Sequence, residues 1–303
     1  MNQTIKPNFF IVGAPKCGTT ALSAYLKEHK NIVISDPKEP HFFATDMQKM
    51  RTTDNKEQYL KYFKDVTDQT FAIGDASVWY LYSKEAIKNI KQFNPDAKII
   101  VMLRNPVEMV PSMHAQHLYR TDEDVKEFAE AWKLNESREL GNNIPKYCRA
   151  PQNLNYKKIA LYAEQIERLY RYFPKEQVKI ILFDDFKKDT KKIYEETLEF
   201  LNINKDGREH FPVINENTTS KNYWIKALIV NQPKFIIFIK NIIKKILGKE
   251  KLNIASFLNN LNTIKEKRKP LEDTLKQEII DNYKNDILKL SKILNRNLDN
   301  WIK

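Results

Sequence analysis

Cysteine, glycine and long apolar runs are all scarce in this sequence. Two cysteines, Cys17 and Cys148, stand in 303 residues. They are too few for a disulfide framework, so a reducing, cytoplasmic compartment is expected. Six glycines, without period, leave no collagen-like repeat and no Gly-rich linker. No apolar run exceeds five residues, as at Ile99–Leu103 and Phe235–Ile239, whereas a membrane-spanning helix needs about 20. Residues Met1 to Pro7 lead straight into a short apolar segment, without the long apolar region of a secretory leader. Five histidines and two cysteines show no ligand spacing, and no metal is expected. A secreted mini-protein, a membrane transporter and a fibrous protein are excluded.

Negative charge is the minority. The 39 acidic residues face 51 basic ones, for a net +12 at pH 7. Residues 221–303 hold 18 Lys/Arg against 8 Asp/Glu, and so carry +10 of that excess. Such a field attracts nucleic acid, anionic lipid, an acidic glycan or a nucleotide, and its sign alone does not choose among them. The apolar and basic stretch Lys226–Leu247, broken by Pro233, fits a helix packed on the core. Its alternative is peripheral membrane contact. In a nucleic-acid or membrane binder, Tyr223, Trp224, Phe235 and Phe238 would stack on bases or enter lipid. No nucleic-acid motif accompanies them, and no nucleic-acid partner is expected.

Core material is ample, at 42% hydrophobic and 11% aromatic residues. Phe9–Val12, Asn31–Ile34, Phe71–Gly74, Lys98–Leu103 and Val178–Phe183 read as short buried strands. Helical spacing follows from Thr19 onward, over Tyr156–Phe173, and from about Lys191 to Leu201. Strands alternating with helices predict an α/β fold, a single domain over 1–303 with a central parallel sheet flanked by helices. Its core is expected over about 8–204. After Asn204 the strand signal fades, and a helical C-terminal cap is expected over about 221–303. Its closing helix carries Leu271, Leu275, Ile279, Tyr283, Ile287, Leu290 and Leu294.

Gly13-Ala14-Pro15-Lys16-Cys17-Gly18-Thr19-Thr20 lies between a strand and a helix, where backbone N–H groups and the helix dipole create an anion site. Both glycines fit the P-loop pattern G-x-x-x-x-G-K-[ST]. Thr19, however, stands where the lysine should follow, and the loop's lysine, Lys16, is interior. A P-loop kinase or nucleoside-triphosphatase would thus lack its grip on the β- and γ-phosphates. It remains the runner-up, because Val178–Asp184 passes for a strand ending in a magnesium-linked aspartate. An interior lysine suits a 5′-phosphosulfate instead, where it reaches the bridging oxygen.

The run Phe10 to Leu22 closely resembles the 5′-phosphosulfate loop of sulfotransferases that use 3′-phosphoadenosine 5′-phosphosulfate (PAPS), in the bacterial and Golgi carbohydrate-type branch. Heparan sulfate sulfotransferase domains are similar. Lys98 to Ser112 resembles that family's second signature, a strand, Arg, Asp/Asn, Pro, then Ser eight residues after the Arg. The resemblance implies that Lys16, Cys17, Gly18, Thr19, Thr20 and Ala21 bind the 5′ end of the donor. Arg104 and Ser112 would hold its 3′-phosphate, a fork-shaped guanidinium giving two hydrogen bonds and a hydroxyl a third.

Lys38-Glu39-Pro40-His41-Phe42-Phe43 resembles the glycan sulfotransferases' Lys-Glu-x-His-Phe-Phe segment, which implies Glu39 as general base. Lys16 would then stabilise the bridging oxygen and Lys38 contact the sulfonate. His41 either lines the acceptor pocket or packs beside Phe42 and Phe43. His114 and His117 would face the same cleft on a regular helix, with His114 a candidate acceptor contact. The acceptor implied is a glycan or small molecule. Positive potential would lower the Cys17 thiol pKa, but direct transfer needs only its N–H. Gly74-Asp75-Ala76-Ser77, Phe183-Asp184-Asp185-Phe186 and the stretch from Pro270 to Trp301 match the family more weakly. Lys221 and its neighbours are candidates for a lid over the nucleotide.

Overall fold

Uninterrupted apolar runs, rather than alternating ones, make the strands of this protein. The computed structural model describes residues 6–214, 218–220, 263–265 and 270–303. Strand β1 (Phe9–Gly13) is buried throughout, followed by β2 (Ile32–Ile34), β3 (Ala72–Asp75), β4 (Lys98–Leu103) and β5 (Val178–Leu182). Both faces of a parallel sheet are covered, which is why these runs need no polar face. The strands form one parallel sheet in the order β2-β3-β1-β4-β5. Where β3 passes β1 at Gly74, an added Cβ would stand 2.1 Å from the Phe9 ring, which fills the space over the glycine.

The helices are α1 (Thr19–Lys27), α2 (Lys56–Leu60), α3 (Ala86–Phe93), α4 (Pro106–Arg120), α5 (Phe128–Lys133), α6 (Asn135–Glu139), α7 (Tyr162–Tyr170), α8 (Phe183–Lys188), α9 (Thr190–Phe200) and a closing helix α10 (Asp273–Leu294). Each longer one buries an apolar stripe, Ala86, Ile87 and Ile90 in α3 and Ile279, Tyr283, Ile287 and Leu290 in α10. The expected α/β class with a parallel sheet flanked by helices is what the chain adopts.

Contacts divide the chain into two compact units. Met1–Met109, Lys157–Ile214 and Lys276–Lys303 form the first, which holds all five strands. Val110–Tyr156 and Asn215–Leu275 form the second. Within the latter, Arg138 donates to both oxygens of Glu123 at 2.7 Å, and both side chains are fully buried. Tyr156 adds a third donor to Glu123 at 3.0 Å. Strands β6 (Thr218–Ser220) and β7 (Thr263–Lys265) pair antiparallel, which the fading strand signal after Asn204 did not predict.

Two local departures from the expected boundaries stand out. Residues 156–161 do not join α7; the helix begins at Tyr162, where Asp286 of α10 accepts from the Ala163 N–H at 3.0 Å. Phe183 starts α8 instead of ending β5. Asp184 accepts from the Trp301 indole at 3.0 Å, and Asp185 pairs with Arg296 at 2.7 Å, so the acidic strand-end motif anchors the C-terminus. Lys226–Leu247, Lys221, Tyr223, Trp224, Phe235 and Phe238 lie outside the described residues, as does most of the expected helical cap.

Candidate active site

Parallel strands bring their C-terminal ends to one edge, and the chain uses four of them. Lys16 follows β1, Lys38, Glu39 and His41 follow β2, Ser77 follows β3 and Arg104 follows β4. The connections leaving β1 and β4 run in opposite directions along the sheet, toward β2 and β5. Ligands of open α/β sheets bind where the order reverses in this way.

At that switch the β1–α1 loop turns through left-handed backbone, with φ 61° at Lys16 and φ 90° at Gly18. Gly18 accepts this freely, and a Cβ there would lie 2.9 Å from the Phe183 ring. Helix α1 has no side-chain N-cap and no acidic residue in its first turn. Its positive end is therefore available to an anion. Thr19 is buried, whereas Thr20 and Ala21 are partly exposed. Cys17 is fully buried, its thiol contacting the Pro15 carbonyl and the Tyr162 hydroxyl. Burial pushes that thiol up to about 12, overriding the lowering by Arg104. The expected downward pull is thus corrected: Cys17 stays a neutral thiol.

Arg104 Nη1 donates to the Lys16 carbonyl at 3.3 Å, and its Cζ sits 4.6 Å from the Phe183 ring centre. Its Nε and Nη2 both donate to Glu108 Oε2, at 2.9 and 2.6 Å. The guanidinium is thereby fixed at the mouth of the loop, with an exposed carboxylate on its fork.

Beyond β2, Lys38 Nζ donates to Glu39 Oε1 at 2.6 Å, and Glu39 Oε2 stands 3.6 Å from His41 Nε2. Glu39 and His41 have φ of 61° and 51°. Seven described residues other than glycine have positive φ, and Lys16, Glu39 and His41 are three of them. Three more are asparagines, which tolerate that region, and the seventh is Thr121 in the second unit, so three of the four positions that asparagine does not fill lie here. His41 is buried edge-on to Tyr80, while Phe43 packs among Phe10, Tyr59 and Phe93.

Behind them lies Asp75, wholly buried, which accepts from Ser77 Oγ at 2.6 Å, Tyr80 OH at 2.8 Å and Tyr59 OH at 2.9 Å. Burial raises its carboxyl pKa while the three hydroxyls oppose the rise. Sequence reasoning gave Asp75, Tyr59 and Tyr80 no role. The one available signal was a polar Gly-Asp-Ala-Ser run closing an apolar strand.

Ser112, His114 and His117 lie on α4 in the second unit, and all are buried. His114 Nε2 pairs with the Val125 carbonyl at 2.9 Å and its ring packs beside Phe128 and Tyr156. His117 Nδ1 pairs with Tyr156 OH at 3.2 Å, and burial drives its pKa down to about 3. Burial likewise lowers His114. Val125 and Tyr156, which these two rings pair with, belong to the same unit as the histidines.

Comparison with known proteins adds the following. Residues 6–230 match the family model described as "Sulfotransferase domain". Carbohydrate sulfotransferase 15 of Homo sapiens is 26% identical over 249 residues, covering 65% of this chain and 44% of the relative. Bifunctional heparan sulfate N-deacetylase/N-sulfotransferase 3 of Homo sapiens is 30% identical over 203 residues, covering 65% of this chain and 22% of the relative. The chain thus spans less than half the length of these curated relatives. The crystal structure of a sulfotransferase from Alicyclobacillus acidocaldarius superposes with a TM-score of 0.72 at 26% identity, covering 99% of this chain and 100% of that one.

Proposed function

This chain belongs to the sulfotransferase family, and on that premise we propose that it moves a sulfuryl group from PAPS to a hydroxyl or amine of a saccharide by in-line transfer. The observation that carries this reading is the convergence of two unlike groups on one sheet edge. One is a cationic loop with an uncapped helix end, Lys16 and the Arg104 fork. The other is the Lys38–Glu39–His41 set, in which a carboxylate is held between two nitrogen bases. The donors of the first unit fit a doubly phosphorylated anion, with backbone N–H groups from Cys17 to Thr20 for the 5′ end and the Arg104 guanidinium for the 3′-phosphate. Saccharide acceptors are favoured by the carbohydrate sulfotransferases among the relatives.

In this reading Glu39 takes the acceptor's proton as the new bond to sulfur forms. Lys16 stabilises the charge left on the phosphate oxygen as the old S–O bond breaks, and Lys38 steadies the sulfonate. The kinase alternative needs a free acidic group at the end of β5, but Asp184 is engaged by Trp301.

The test is a screen of sulfate transfer from labelled PAPS onto pooled glycans, lipids and small alcohols, repeated with Glu39→Gln. That variant keeps the shape and removes the basic lone pair. Transfer to a hydroxyl should fall ~10²–10⁴-fold, the usual contribution of a positioned base. Binding of adenosine 3′,5′-bisphosphate should be unchanged. Near-wild-type transfer by Glu39→Gln would move the base elsewhere, and tighter binding of ATP with magnesium than of the bisphosphate would reject the sulfotransferase reading.

A further inference from the structure

The ring of His41 makes few polar contacts. Its Nδ1 is buried without a hydrogen-bond partner among the described residues, and its Nε2 faces Glu39 at 3.6 Å. What fixes the residue lies one layer behind. The His41 backbone N–H donates to Ser77 Oγ at 3.0 Å, and the ring stands edge-on to Tyr80, 6.2 Å between centres. Two residues on, the Phe43 N–H donates to Tyr80 OH at 3.3 Å. Both hydroxyls give their own protons to one carboxyl group, Ser77 to Asp75 Oδ1 and Tyr80 to Oδ2.

The direction of these bonds matters. Both hydroxyls point their hydrogens at Asp75, which leaves their lone pairs facing the His41 and Phe43 N–H groups. Asp75 sets the polarity of both bridges at once. An amide in its place would present a donor to one of these hydroxyls, which would then have to turn its own hydrogen elsewhere and share its lone pairs between the amide and the backbone N–H. The turn under tension is the one that carries Glu39 and His41, each in left-handed backbone that persists only where its surroundings enforce it.

We propose that Asp75, acting through Ser77 and Tyr80, is the positioning residue that enforces the Glu39–His41 turn and so aims the base. The proposal rests on the reading of Glu39 as base, but its geometry can be tested apart from that reading. Ser77→Ala cuts the bridge to His41. Ser77→Thr restores a hydroxyl. Tyr59→Phe deletes an equal hydrogen bond to Asp75 that touches no N–H of the turn. Asp75→Asn reverses the polarity itself, and the Ser77 pair decides the matter should that variant fail to fold.

Three quantities are read: amide hydrogen exchange at His41, thermal stabilisation by adenosine 3′,5′-bisphosphate, and kcat and KM for PAPS with desulfated heparan sulfate as acceptor. In Ser77→Ala, exchange at His41 should quicken at least ~10-fold and kcat should fall ~10–100-fold, the scale of a misplaced reacting group. KM for PAPS and the bisphosphate stabilisation should stay within about twofold, since binding and turnover report different interactions. Ser77→Thr should recover both losses, and Tyr59→Phe should lower Tm while keeping kcat. Unchanged His41 exchange in Ser77→Ala, or an equal loss of kcat in Tyr59→Phe, overturns the proposal. Should Glu39→Gln keep its rate while His41 exchange still follows Ser77, the base assignment fails and the positioning of the turn stands.

Discussion

Arg104 spends two of its donors on Glu108, an exposed carboxylate one helical turn away. A phosphate entering the site must share or displace that partner, which gives the pair opposite expected phenotypes. Arg104→Ala removes a charge-assisted contact worth ~1.5–3 kcal/mol and should largely abolish stabilisation by adenosine 3′,5′-bisphosphate. Glu108→Gln removes a competitor held by a solvent-exposed pair worth under ~1 kcal/mol, so affinity should rise about two- to fivefold. Calorimetric titration of both variants decides; weaker binding by Glu108→Gln would mean that the carboxylate positions the fork rather than competes for it. Lys16 should behave differently again. In the proposed transfer its charge is wanted most as the S–O bond breaks, so Lys16→Ala should lose far more kcat than PAPS affinity. Equal losses would make it a ground-state anchor. Lys16, Glu39 and Arg104 were all legible in the sequence because each sits in a short contiguous motif. Asp75 was not, since its partners Tyr59, Ser77 and Tyr80 acquire meaning only when three hydroxyls converge on one carboxyl group.

Element boundaries show the same divide between local and distant causes. Strand β4 coincides with the apolar run Lys98–Leu103 because its neighbours in sequence end it. Helix α7 does not begin where its periodicity begins, because its N-terminal N–H groups are capped from α10, with Asp286 and Ala163 far apart in the chain. That cap is titratable. Burial pushes the Asp286 carboxyl up to about 6, although N–H groups of Tyr162, Ala163 and Glu164 pull it down. An unfolded aspartate ionises near ~3.9. Between about pH 4 and 6 the folded chain therefore retains a proton that the unfolded chain has lost. The contribution of Asp286 to stability is full below that window, declines as pH rises through it by no more than ~3 kcal/mol, and is level above it. Asp286→Asn keeps an acceptor for the cap and removes the titration. Thermal unfolding from pH 4 to 7 should show a wild-type minus variant difference that falls with pH and then flattens. A difference independent of pH would remove Asp286 as its source.

At the scale of the whole molecule, the alternation of strand and helix patterns foretold the α/β class, but not the division into two units or the antiparallel pair β6–β7. Those strands are three residues each, carry no long apolar run, and depend on a partner more than forty positions away. Composition does state one global property, the net charge of +12. A field of that sign attracts a polyanionic nucleotide before any contact forms, and steering of this kind accelerates association ~10–10³-fold at low salt. Salt shortens its reach, with a Debye length of ~10 Å at 0.1 M and ~3 Å at 1 M. Hydrogen bonds inside the loop are made at contact distance and are screened far less. The two effects separate in kinetics. Raising NaCl from about 50 to about 500 mM should cut kcat/KM for PAPS roughly tenfold, while kcat at saturating donor stays within about twofold. Adenosine, which carries no phosphate, should bind with little salt dependence. A kcat that falls in parallel with kcat/KM would place the salt-sensitive charges in the chemical step, and a flat kcat/KM would show that the basic excess is turned away from the nucleotide.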